Sequence, residues 1–293
     1  MEFRKLTLDC MNEIKPFFAE NENRVCDCTI GGTFIWRDYH KTEYAIDNGG
    51  LYLKVAYPEP AFTPPRGVEL SRGSYERIIE YCDENEMPMK LFAVSEPTLQ
   101  GILELFPASK ATTDRAWSDY LYSSKDIVDL AGRKYAGQRN HINKFKREHV
   151  SWSFERITSG NISEVREFYE RYAREHLKDS LAYLEGNRKA IEVLDNFDEY
   201  GLLGGVLYAD GAIVGESLGE IVGDTLFVHT EKADIAYSGS YPMLVNQFAR
   251  MFVTDETLYI NREEDDGVEG LRTSKLSYHP TQLLHKYSVE LII

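Results

Sequence analysis

Four cysteines in 293 residues are too few, and too unevenly placed, to organise the chain. Cys10, Cys26, Cys28 and Cys82 all fall in the first third and lack the paired-knuckle spacing of a zinc site, so no metal is expected. No disulfide framework is evident, and Cys26-x-Cys28 reads as a pair of reduced, partly buried thiols. Long apolar runs are missing too. None approaches the length that spans a bilayer, and the opening MEFRKLTLDC has no long apolar core. The chain therefore reads as cytoplasmic. Positive charge is scarce overall: 33 Lys and Arg stand against 48 Asp and Glu, a net charge of −15. A protein that coats nucleic acid needs a positive face for the phosphates, so this balance excludes extensive nucleic-acid contact while leaving room for one local basic site.

Apolar periodicity orders what is present. A short amphipathic helix is expected over 9–20, capped by Asp9. Strand-like runs follow at Cys28–Trp36, Glu43–Asp47 and Leu51–Tyr57, the last two joined at Asn48-Gly49-Gly50. A Pro-rich loop, Pro58–Pro65, is expected to hold no regular structure. A helix with Tyr75, Ile78, Ile79 and Cys82 on one face, a strand at Met89–Val94, a helix at Pro97–Phe106 and an extended return at Asp114–Tyr122 complete the first part. The second part opens with a strand at Val150–Ile157 and a helix carrying Val165, Phe168, Tyr169 and Tyr172, then another helix at Asn187–Phe197. Three strands joined at Asp210-Gly211 and Gly223-Asp224 form an antiparallel meander. A helix at Tyr241–Phe252, a strand at 257–260, a helix at 268–276 and a last strand near Tyr287–Ile293 end the chain.

The two parts echo each other. Gly73-Ser74-Tyr75 and Gly239-Ser240-Tyr241 each open a helix after three strands. Leu91-Phe92 then matches Leu258-Tyr259, and Gln100-Gly101-Ile102 matches Glu269-Gly270-Leu271, all at nearly constant offset. A duplicated α/β domain explains this order better than chance. Charge separates the copies: Ala93-Val94-Ser95-Glu96 stands where the second part has Ile260-Asn261-Arg262-Glu263, and nothing in the first answers Arg272, Lys275 and Tyr278. The active half is therefore expected to be the second. Between the copies, Arg133, Lys134, Arg139, Lys144, Lys146 and Arg147 face a single acid, Glu148, over residues 132–149.

Three stretches, KYAGQRNHINKFK (Lys134–Lys146), HTEKA (His229–Ala233) and NREEDDGVEGLRTSKLSYHP (Asn261–Pro280), resemble the family related to the C-terminal domain of phosphatidylglycerol lysyltransferases. The resemblance implies an α/β (α+β) fold of two tandem GNAT-like domains, each a mixed, largely antiparallel sheet flanked by helices. The expected division is 1–123, a basic helical connector at 124–149, and 150–293 with the active site. Relatives move an aminoacyl group from aminoacyl-tRNA to a lipid head group or another amine or hydroxyl, so the chain is expected to be an acyltransferase of this type. The alternatives are an acyl-CoA-dependent N-acyltransferase acting on a small amine and a catalytically silent ligand-binding module. Two departures bear on the choice. GNAT enzymes hold the CoA pyrophosphate on a Q/R-x-x-G-x-G/A loop, whereas Asp234-Ile235-Ala236-Tyr237-Ser238-Gly239-Ser240 has one glycine and no leading Arg or Gln. The transmembrane region of the lysyltransferases has no counterpart here.

In the GNAT scheme a base projects from the fourth or fifth strand, which singles out His229, Glu231 and Glu263, with Tyr278 near the leaving group. The plain alternatives are a satisfied half-buried histidine and an ordinary amphipathic tyrosine. Arg272 and Lys275, three apart on one helix face, suit a phosphate or carboxylate of the donor, with Asn261, Arg262 and the Gly239-Ser240 turn beside them. Glu263, Glu264 and Asp265 suit an ammonium, or are simply a solvated acidic turn at the positive end of a helix. Arg139, His141, Asn143 and Lys144 are either an exposed linker face or a phosphate cluster for a tRNA acceptor end or a lipid head group.

Overall fold

The computed structural model describes residues 1–19, 23–175 and 181–293. The chain forms two compact units. The first comprises Met1–Asp119, Glu264–Val268 and Leu283–Ile293; the second comprises Tyr120–Glu263 and Glu269–Gln282. The strands are β1 (Arg4–Lys5), β2 (Glu43–Asp47), β3 (Gly50–Val55), β4 (Ala61–Phe62), β5 (Lys90–Ser95), β6 (Lys110–Thr113) and β7 (Asp119–Ser123). They continue with β8 (Trp152–Arg156), β9 (Leu203–Ala209), β10 (Ala212–Val222), β11 (Thr225–Ala233), β12 (Tyr259–Asn261), β13 (Gln282–Leu284) and β14 (Lys286–Glu290). One sheet runs β1-β2-β3-β4-β5-β14-β6 and the other β13-β7-β12-β11-β10-β9-β8. Both are mixed and mostly antiparallel, with parallel pairs at β4·β5 and β11·β12. Two tandem GNAT-like domains of this kind are what the sequence implies.

Turn chemistry sets the hairpins. Asn48 and Gly49 have φ of 49° and 82°, and Asp210 and Gly211 have φ of 52° and 82°. Positive φ at both central residues gives the turn whose twist matches the flanking strands. Helical stripes fill the layers. Tyr75, Ile78, Ile79 and Cys82 of the Arg72–Glu84 helix join Phe62, Leu91 and Val289 in the core of the first unit. In the second, Val165, Phe168, Tyr169 and Tyr172 are buried from the Ile162–Glu175 helix, and Met243, Leu244, Phe248 and Phe252 from Ser240–Phe252.

Several expectations need correction. Cys28–Trp36, read as a strand from its β-branched and aromatic residues, is a helix over Ile30–Ile35. The Thr29 side chain caps it by accepting from the Gly32 N–H, and Gly32 sits so close to the Cys26 carbonyl that any Cβ would clash. The helix expected over 9–20 is broken into short turns from Leu8 to Phe18, with Pro16 interrupting, and it is capped at Thr7 rather than Asp9. Glu20 lies outside the described residues. The Pro-rich loop does contain two strand residues, Ala61 and Phe62, which pair with Val55 and Lys54. The units also divide differently from 1–123, 124–149 and 150–293. Residues 124–149 fold within the second unit, as helices at Ser124–Asp129 and Ala136–Glu148, while the last strand pairs with β5 and β6 of the first.

Candidate functional site

The parallel pair β11·β12 holds together only where Thr225, Leu226 and Phe227 face Tyr259, Ile260 and Asn261. Past that point two ion pairs link the strands. His229 Nδ1 lies 2.7 Å from Glu263 Oε1, and Arg262 donates from Nη2 and Nε to Glu231 Oε2 at 2.6 and 3.1 Å. His229 is the extra residue of a bulge, because Leu218 faces Thr230 while Gly219 faces Val228. Its other ring nitrogen lies 2.9 Å from Glu220 Oε1. Burial alone would favour the neutral ring, but the hydrogen bonds to Glu220 and Glu263 outweigh it and raise the imidazole pKa to about 10. His229 is thus an imidazolium clamped between two carboxylates at neutral pH. Glu263 itself has a left-handed φ of 53°, held by its N–H donating to Asn261 Oδ1 at 2.7 Å.

A pocket of about 390 Å³ opens beside this pair, lined by Gly137, Gln138, His141, Tyr241, Pro242, Val245, Arg262, Ser274, Ser277 and Tyr278. Every lining residue belongs to the second unit. Arg262 is 6 % exposed, and its guanidinium carbon lies 4.8 Å from the Tyr278 ring centroid and 5.8 Å from that of Tyr122. Desolvation opposes its charge, yet the partnership with Glu231 raises the pKa above the ordinary value. The Arg262 backbone is fixed as well, since Lys275 Nζ donates to its carbonyl oxygen at 2.6 Å. Tyr278 is 4 % exposed, and burial pushes its phenol up to about 12 although Arg262 pulls the other way. Its hydroxyl has no hydrogen bond among the described residues and is therefore available to a ligand.

The helix Ser240–Phe252 points its N-terminus at the same pocket through Tyr241 and Pro242. Three residues of its first turn offer no free N–H to a pyrophosphate. The Ser240 N–H donates to the Tyr237 carbonyl, the Met243 N–H to the Gly239 carbonyl, and Pro242 has no N–H. The Ser240 hydroxyl donates to the Asp234 carbonyl at 2.7 Å. Gly239, at φ 87°, is covered by the connector helix: a Cβ there would stand 2.4 Å from the His141 carbonyl oxygen.

The structure thus brings Arg262, Tyr278 and His141 to the pocket, with Glu231 directly behind Arg262. Lys275, expected beside Arg272 on one helix face to meet a donor phosphate or carboxylate, is buried and supports Arg262 from beneath. Arg272 is half-buried and does not line the pocket. Arg139 donates to the carbonyls of Leu130 and Gly132 and so closes the preceding loop. Asn143 and Lys144 are exposed on the same helix, with Lys144 3.9 Å from Glu148. The acidic turn is occupied by protein partners. Glu263 takes His229; in the first unit, Glu264 takes Lys286 and Asp265 takes Arg115 at 2.8 Å.

Two clusters escaped the sequence reading. Glu216 in β10 is fully buried, hydrogen-bonded by Thr230, and burial raises its carboxyl to about 8. A glutamate amid small and apolar residues of an interior strand is the signal that marked it. In the first unit, Lys286 Nζ lies 2.8, 2.9 and 3.1 Å from Asp27, Asp119 and Glu264 and 3.5 Å from Cys26 Sγ. Cys26, Asp119 and Glu264 are spaced closely enough to ligate a metal. An ammonium already stands among them, and burial together with Asp119 keeps the Cys26 thiol protonated. No local spacing could reveal residues so far apart in the chain.

Comparison with known proteins bears on this geometry. The family model described as phosphatidylglycerol lysyltransferase, C-terminal, matches residues 18–290. A conserved protein of unknown function from Bacteroides thetaiotaomicron VPI-5482 has a crystal structure with TM-score 0.92 and 31% identity, covering 100% of both chains. The C-terminal domain of a putative lysylphosphatidylglycerol synthetase from Agrobacterium fabrum shares the fold at TM-score 0.68 and 12% identity, covering 97% of this chain and 92% of that one. An uncharacterized protein of Mycoplasmoides gallisepticum is 24% identical over 176 residues, which is 60% of this chain. The chain spans only 56% of that relative's length. Since the family match runs through both units and includes the whole pocket, the chain belongs to the phosphatidylglycerol lysyltransferase C-terminal family.

Proposed function

We propose that this protein transfers an aminoacyl group from aminoacyl-tRNA to an amine or hydroxyl acceptor, such as a lipid head group or a small molecule. The observation that carries the choice of donor is the first turn of the Ser240–Phe252 helix. Its Ser240 and Met243 N–H groups are engaged, Pro242 has none, and the connector helix covers Gly239, which withdraws these groups from a CoA pyrophosphate. The wall that replaces that cradle is the basic Ala136–Glu148 helix, suited to the phosphates of a nucleic-acid end. In the reaction the acceptor nitrogen or oxygen attacks the ester carbonyl carbon, the bond to the ribose oxygen breaks, and the proton lost by the nucleophile ends on the released hydroxyl. Arg262, fixed by Glu231 and Lys275, and the free Tyr278 hydroxyl hold oxygen atoms of the bound substrates so that the attack is oriented.

Thermal shift separates the donors. An aminoacylated tRNA minihelix should raise the melting temperature of the protein, and CoA thioesters should not. Stabilisation by CoA thioesters alone would replace this reading with the acyl-CoA-dependent one.

A further inference from the structure

Backbone acceptors beside the pocket are already engaged. Four backbone carbonyls at the end of the Glu269–Leu276 helix and just beyond it lack intrahelical partners of the ordinary kind. Each already accepts a hydrogen bond: Ser274 O from the Ser277 hydroxyl at 2.7 Å, Lys275 O from the Tyr122 hydroxyl at 2.9 Å, Ser277 O from Gln138 Nε2 at 2.8 Å and Tyr278 O from the Tyr135 hydroxyl at 3.1 Å. No acidic side chain lines the pocket, in a chain whose net charge is −15. Two donors stand ready. Tyr278, nine-tenths buried, offers an unengaged hydroxyl. Arg262 Nη1 is buried without a hydrogen-bond partner, its guanidinium packed against two tyrosine rings.

We infer that this pocket is an oxyanion subsite, built to receive a compact carboxylate or phosphate group of the substrate against Tyr278 and Arg262. An anion meets the Tyr278 hydroxyl and a guanidinium whose edge is unsatisfied. Glu231 takes one edge of Arg262 and fixes its orientation, so the remaining edge is preorganised rather than searching. The inference refines the proposed acyl transfer by giving one substrate an anionic group. It is read from binding alone, with no donor present, so it stands or falls separately from turnover.

Equilibrium binding of inorganic phosphate, glycerol phosphate and acetate to the full chain at physiological salt tests it. Saturable binding of phosphate and glycerol phosphate supports the site and assigns the anion to a phosphoester; saturable binding of acetate alone supports it and assigns a carboxylate. Tyr278→Phe should weaken binding several-fold. Arg262→Met combined with Glu231→Gln, which leaves no unpaired charge, should weaken it about tenfold or more. Absence of saturable binding to wild type, or binding unchanged in the folded double variant, would overturn the inference.

Discussion

At the scale of single residues, the site is governed by how charges are compensated. Arg262 and His229 are both removed from water, and each survives as a cation only because carboxylates stand within hydrogen-bond reach. For His229 the consequence is a defined pH dependence. Its folded-state pKa of about 10 lies above the ordinary 6.5, so the folded chain holds a proton that the unfolded chain releases. The stabilisation this provides is complete below pH 6.5 and disappears as pH rises through about 10. Urea denaturation of wild type and His229→Gln should therefore show the largest stability difference near pH 6 and a shrinking one toward pH 10. A difference that grows with pH would mean that His229 is neutral in the folded state. A histidine so held has both nitrogens engaged by carboxylates, which leaves Tyr278 as the more accessible protic group of the site.

At the scale of elements, the pocket depends on how two helices meet. The Ala136–Glu148 helix lays its His141 carbonyl on Gly239, at the start of Ser240–Phe252, and only a residue without Cβ fits between them. Gly239→Ala adds a left-handed penalty of roughly 1–2 kcal/mol to the clash with that carbonyl. Chemical denaturation should show a loss of at least that size, accompanied by weaker phosphate binding as the connector helix is displaced. A neutral outcome would mean that the helices are not packed this closely. Much at this scale was legible in the sequence. The stripe Tyr75, Ile78, Ile79 and Cys82 predicted its helix because periodicity reports burial directly. Asn48-Gly49 and Asp210-Gly211 predicted their hairpins because few other pairs tolerate positive φ twice. The Ile30–Ile35 helix was not legible, since its composition favours a strand and only tertiary packing against Cys26 overrides it. Arg262 and Tyr278 were marked by type and position, yet the support from Lys275 and the capping by Gln138, Tyr122 and Tyr135 depend on contacts between distant segments.

For the whole molecule, one scaffold occurs twice, and only the second copy carries an Arg-Glu pair after the strand that leads into its last helix. In the first unit, β5 leads into the Glu96–Leu105 helix; in the second, β12 leads into Glu269–Leu276 through Arg262 and Glu263. The weak internal echo carried that duplication because glycine turns and strand cores persist when surfaces change. The assignment of segments to units was less visible, since the last strand completes the first sheet and a sequence read in order gives no sign of it. Among the described residues no helix is long and apolar enough to cross a membrane.

The most direct measurement is single-turnover transfer of a radiolabelled amino acid from aminoacyl-tRNA to phospholipid vesicles and to small amines. The account predicts transfer by wild type and a fall on the order of a hundredfold in Tyr278→Phe, the usual cost of losing a positioning contact at the reacting centre. Transfer from acyl-CoA only, or transfer undiminished in Tyr278→Phe, would contradict it.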